Sequence, residues 1–150
     1  MPDKLLTADA ISDYFLSLVD EDAGDNISNL KLQKLLYYAQ GFCLAIHDRP
    51  LFKDEIKAWA HGPVIPTVYH KYKEHGAGAI PLPTDVNFGR YSGDMKELLD
   101  DIYTVFGQYS AWKLREMTHV EPPWKNTTRN TIIPHRALKA YFKTRVKKDE

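Results

Sequence analysis

From Leu30 to Ile46 the chain carries more apolar residues than one helical face can hold. At helical periodicity Leu32, Leu35, Leu36, Ala39, Phe42, Cys43 and Ile46 form one stripe. Leu30, Lys34, Tyr37, Gly41 and Leu44, spaced by four, three, four and three, lie on nearly the opposite side. A helix with two apolar sides needs two sets of cover. Either it is the central helix of its own domain, or its second side docks on another protein. Gly41 admits the close approach of another backbone. Leu30, Gly41 and Leu44 suit internal packing, whereas the charged head of Lys34 and the hydroxyl of Tyr37 suit a surface position beside Trp59.

The same alternation predicts the other elements. Thr7 caps a first helix with Ala10, Ile11, Tyr14, Phe15, Leu18 and Val19 inward, ended by Asp20 to Gly24. The second helix follows Asn29 and runs to about His47, before the turn at Asp48-Arg49-Pro50. Glu55 to Trp59 alternates as a short half-buried strand, Gly62-Pro63 turns the chain, and Asp85 to Tyr91 offers a second strand to pair with Ile56 to Trp59. Pro66 opens a third helix with Val68, Tyr69 and Tyr72, stopped by Gly76. Ser92 caps a fourth with Met95, Leu98, Leu99, Ile102, Val105 and Phe106 inward. Ser110 caps a short fifth with Leu114 and Met117 inward, broken by Glu121-Pro122-Pro123-Trp124. Pro134 opens the last, with Ala137, Leu138, Tyr141 and Phe142. Lys143 to Glu150 reads as a charged, solvated tail. The predicted fold is mainly α: a single compact domain over residues 1–150, with about six helices around a central second helix and at most a small two-stranded β element.

Composition narrows the function classes. Twenty Lys and Arg balance twenty Asp and Glu, which argues against a dedicated nucleic-acid binder, because such proteins carry a basic excess to neutralise phosphates. No apolar run approaches membrane-spanning length and no secretory segment opens the chain, so no membrane partner and a cytoplasmic location are expected. The lone Cys43 falls on the core stripe, where a thiol packs rather than reacts.

Little else suggests catalysis. The six histidines contain no HExxH pattern, and His70 and His75 are spaced poorly for one helical face, so no metal is expected. Gly76-Ala77-Gly78 lacks the lysine and hydroxyl of a phosphate-binding loop, and the dinucleotide fingerprint is missing, so no cofactor is expected. Adjacent carboxylates such as Asp100 and Asp101 diverge on a helix instead of converging on a substrate. The enzymatic alternative is a small hydrolase using His61 at the glycine-proline corner, oriented by Asp54 or Glu55. Against it stands the aromatic content, nine Tyr and three Trp, with Trp59, Tyr69, Tyr72, Tyr37 and Tyr38 close in sequence to one corner. Tyr and Trp dominate binding hot spots, although a tryptophan at such a glycine-proline corner more often packs beneath the turn, and Trp59 is read first in that way.

Four ordered motifs carry a resemblance: Ile27-Ser28-Asn29-Leu30-Lys31-Leu32-Gln33-Lys34-Leu35-Leu36-Tyr37-Tyr38-Ala39-Gln40-Gly41, then Pro50-Leu51-Phe52, Ile56-Lys57-Ala58-Trp59 and Gly62-Pro63-Val64. This string resembles the Panacea antitoxin domain, also described as SocA-like or phage-associated GepA-like. The resemblance implies a bacterial or prophage antitoxin that neutralises a cognate protein toxin by direct contact. It also implies an alternative, an adaptor that delivers the toxin to an ATP-dependent protease of the ClpXP type. Some members carry an added helix-turn-helix domain that these 150 residues do not show, so autoregulation by operator binding is not expected. Together with the aromatic residues, it nominates Lys34, Tyr37, Tyr38, Trp59, His61 and Tyr69 as the partner-binding set, with no catalytic residues.

Overall fold

A computed structural model describes residues 5–146. Its order is α1 (Ala8–Ser17), α2 (Asn29–His47), β1 (Lys57–Trp59), β2 (Gly62–Val64), α3 (Pro66–Tyr72), α4 (Gly93–Phe106), α5 (Ala111–His119), α6 (Pro122–Lys125) and α7 (His135–Lys143), with three short 3-10 turns between. The described chain is mainly helical with one two-stranded sheet. Among the described residues seven helices stand where about six were expected, because Pro122-Pro123 starts the single turn α6 instead of only ending α5. Proline fits a first turn, whose N–H groups have no partner inside the helix.

Local chemistry sets most helix starts. The side chains of Thr7, Ser28, Ser92 and Ser110 each accept from a backbone N–H two or three residues into α1, α2, α4 and α5. Ser28, not Asn29, is therefore the cap of α2. The Asn29 side chain instead donates to the Tyr69 carbonyl at 3.0 Å, tying the start of α2 to α3.

Helix α2 is central. α1, α3, α4, α5, α7 and β2 all pack on it, so its second side is covered by the chain itself from Lys34 through Leu44, while Leu30, expected to pack inside, is only half-buried. From Leu32 through Gly41 every residue is buried. Tyr38 stacks on Phe106 of α4 with centroids 3.9 Å apart, and Tyr37 meets Phe142 of α7 edge-on at 5.4 Å. Gly41 lies under the Phe142 ring, and a Cβ there would overlap it. The glycine does permit close approach, but of an aromatic ring rather than a backbone. At the far end of α2 the expected stripe runs out: Ile46 is 50% exposed.

The β element differs from expectation. β1 pairs antiparallel with β2, Trp59 opposite Gly62, so Ala60 and His61 form the hairpin loop and Gly62-Pro63 belong to the strand. Gly62 takes φ +112 as the chain leaves that loop, a conformation glycine adopts without strain. Asp85 to Tyr91 is not a strand; it holds a 3-10 turn at Phe88–Arg90, capped by the Asn87 side chain. The other edge of β1 is taken by residues 130–133, through Ala58 N–H to the Thr131 carbonyl at 3.0 Å and Ile133 N–H to the Ile56 carbonyl at 2.8 Å. Of the expected tail, Lys143, Thr144 and Arg145 are exposed, and residues 147–150 lie outside the described residues. Among the described residues no helix is long and apolar enough to cross a membrane.

Candidate functional site

The polar residues of α2 are fasteners for loops. Gln40 accepts from Leu51 N–H at 2.7 Å and donates to the Phe52 carbonyl at 2.8 Å, which clamps the Pro50-Leu51-Phe52 segment. Gln33 accepts from Ile65 N–H at 2.8 Å, just after β2, and is itself held by Asn29 at 2.9 Å. Lys34 reaches under the hairpin and donates to the Pro63 carbonyl at 3.1 Å. The α2 string and the loop motifs therefore form one scaffold, in which buried side chains supply hydrogen bonds the loop backbone cannot find in water.

Two regions grow from that scaffold. The first is a closed polar seam. Glu121, between α5 and α6, accepts from the Tyr37 hydroxyl at 2.9 Å and the Tyr38 hydroxyl at 3.0 Å. Burial pushes the Glu121 carboxyl up from its ordinary value, and the tyrosine hydrogen bonds offset part of that shift. Burial likewise pushes both tyrosine hydroxyls up, and the neighbouring carboxylate adds to it. The Lys34 amine is fully buried; desolvation, with Arg115 nearby, lowers it to about 7. His119 is lowered too, first by desolvation and then by Arg115 and Lys34. Its ring stacks on Trp124 at 4.1 Å, and among the described residues its Nε2 is the buried side-chain nitrogen that lacks a hydrogen-bond partner.

The second region is an open groove of about 380 Å³ between the hairpin, the start of α2, α3 and α5. Trp59 and Tyr69 form one wall, edge to face at 5.1 Å, and the Trp59 carbonyl is fixed by the indole N–H of Trp124 at 2.7 Å. Trp112 stands opposite, 58% exposed, with the Arg115 guanidinium 4.5 Å from its ring. Arg115 also donates to His61 Nδ1 at 3.2 Å, which braces the hairpin tip against α5. Leu30 and Val64 line the same groove, and Lys73 adds a cation.

Of the six nominated residues, Trp59, His61 and Tyr69 come together in the groove. Lys34, Tyr37 and Tyr38 do not: each is at most 1% exposed, so the expected surface position of Lys34 and Tyr37 is corrected. Their polar ends find partners in Pro63 and Glu121, and that removes the reason to seek water. Trp112 was missed. It lies two residues from the inward Leu114, on the outward face of α5, where it stays largely exposed. Asp54 does not orient His61; it accepts from Ala8 N–H at 2.9 Å and the Thr67 hydroxyl at 2.6 Å. Cys43 is buried, and desolvation pushes its thiol up to about 11. Among the described residues no three His, Cys, Asp or Glu side chains gather as they would around a metal ion.

Fold and site together define a helical scaffold protein that presents an aromatic groove beside a short hairpin. Residues 32–125 match the model of the family described as Antitoxin SocA-like, Panacea domain, and the chain belongs to that family. The match begins inside α2 and ends with α6, so it takes in both loop motifs that α2 fastens. The chain is similar to Antitoxin SocA of Caulobacter vibrioides, 34% identical over 109 residues, which are 65% of this chain and 58% of that relative's length. The chain thus spans less than two thirds of the curated relative it matches. No solved structure matches it significantly.

Proposed function

We propose that this chain is a non-enzymatic, cytoplasmic antitoxin that neutralises a cognate protein toxin by direct contact, with the hairpin groove as the contact face. Membership of the SocA-like Panacea family and the likeness to Antitoxin SocA support the role. The observation that carries the site is the convergence of Trp59, Tyr69 and Trp112 on one open groove with cationic Arg115 and Lys73 at its edge. Exposed, braced aromatic rings supply large contact area at small entropic cost, and the cations favour a toxin segment that carries carboxylates among apolar residues. Lys34, Tyr37 and Tyr38 then act from beneath, by holding α2, the hairpin and α5 in register.

The test is co-expression of the neighbouring open reading frame with and without this chain. Growth arrest that this chain relieves, with both proteins co-purifying, is the expected result. Arrest that it does not relieve, with no co-purification, overturns the reading. Relief that disappears when the host's ATP-dependent protease is deleted replaces sequestration with delivery.

A further inference from the structure

A second uncovered surface lies away from the hairpin. Both α2 and α4 carry their apolar stripes one turn further than the fold covers them, leaving Ile46 at 50% and Val105 at 48% exposure. The two overhangs face one groove of about 660 Å³, floored by Phe42, Ile46, Leu98, Ile102 and Val105. Its continuation towards the end of α2 is walled by Asp94, Glu97 and Asp101 of α4. Those carboxylates are spaced by three and four residues, so they form one row along the helix. None of them forms an ion pair with another described residue. On the α7 side Arg145 lines the groove, and its charge also acts on Glu121.

We infer that this groove is a second docking surface, which takes a basic amphipathic helix of a protein partner. The shape argues for a helix: from Asp94 to Val105 the wall runs about 17 Å at helical rise, three turns of a guest laid alongside α4. The charge selects its sign, because a lysine or arginine edge would meet three carboxylates that form no ion pair with another described residue, with His47 at one end of the row and Arg145 across the groove, while the guest's apolar stripe completes the cover that Ile46 and Val105 lack. An acidic guest would meet that row with like charge. The surface is independent of the hairpin groove and of the toxin proposed to bind there.

A labelled amphipathic helix of leucine and lysine is the probe, titrated against the full chain by fluorescence anisotropy, with a leucine and glutamate helix as control. The expected result is binding of the basic helix alone, with amide shifts in NMR spectra at Ile46, Asp101 and Val105. Affinity should fall roughly tenfold both in the paired Ile46→Ser, Val105→Ser variant and in the Asp94→Lys, Glu97→Lys, Asp101→Lys variant. These side chains are at the surface, and thermal melting confirms that each variant is folded. Loss on charge reversal but not on the serine changes would mean bulk attraction, and would overturn the proposal. So would shifts confined to other surfaces, or sedimentation as a dimer that the serine changes dissociate, which would make the occupant a second copy of this chain.

Discussion

The closed seam and the open hairpin groove are built from the same kinds of residue, aromatic rings with cations beside them, yet one is interior and the other surface. In the seam, Tyr37 and Tyr38 each find an acceptor in Glu121 and rings on α4 and α7, so every polar atom of the pair is satisfied within the chain. In the groove, Trp59 and Tyr69 are half-buried and Trp112 spends its indole N–H on Glu116, one turn along its own helix. The contrast separates two uses of an aromatic residue. Rings with a distant internal partner fix the fold, while rings with only local partners remain available for recognition.

The widest test of that division is Tyr37→Ala. It opens a cavity beneath Phe142 and removes a hydroxyl that donates to Glu121, a carboxylate already raised by burial. The expected loss is about 4 kcal/mol of stability, the upper range for truncating a buried aromatic with its hydrogen bond. For a domain of this size that lowers the melting temperature by roughly 10 °C. A melting temperature within about 2 °C of the parent would make the seam dispensable and erase the contrast.

Lys34 sharpens the comparison through pH. Its amine is lowered from an ordinary 10.5 to about 7, so between those values the unfolded chain binds a proton that the folded chain does not. Stability contributed by this group therefore rises with pH across that window, and the desolvation cost is fully felt below about pH 7. Above about pH 10 the raised tyrosines work the other way, because the unfolded chain then loses protons that the folded chain keeps. Urea unfolding from pH 7.5 to 9.5 should thus show a gain on the order of 1 to 2 kcal/mol that Lys34→Met removes. Equal slopes in parent and variant would mean that the amine stays charged inside the seam.

What could be read from the sequence divides along the same line. The starts of α1, α4 and α5 were legible because a cap is a local bond, from Thr7, Ser92 or Ser110 to an N–H a few residues on. The double stripe of α2 was legible as a need for cover, but not as whose cover. Lys34 and Tyr37 read as surface residues because their partners, Pro63 and Glu121, lie 29 and 84 residues away. The hairpin was misread for a related reason. Gly62-Pro63 has turn chemistry, but three-residue strands have little propensity of their own, and pairing with β1 and the support of Lys34 decided the outcome. The groove was half legible. Trp59, His61 and Tyr69 are neighbours of one corner in sequence, whereas Trp112 enters from α5, and only its place opposite Leu114 on that helix could have singled it out.

Trp112→Ala is the smallest change in stability and the most discriminating for the proposed contact. The side chain is largely in solvent; its indole bond to Glu116 spans one helical turn at 3.1 Å, and its stacking partner Arg115 keeps the bond to His61 without it. Removal should therefore leave the melting curve within about 0.5 kcal/mol of the parent, as for other exposed positions outside a network. If the groove is the toxin's contact face, affinity should fall by about 2 kcal/mol, roughly thirtyfold, because a tryptophan facing a partner is a typical hot spot. Calorimetric titration of the purified toxin reads this directly. Unchanged affinity for Trp112→Ala and for Tyr69→Ala alike would move the contact to another surface, and would leave the aromatic groove a solvated edge of the same scaffold that the seam holds together.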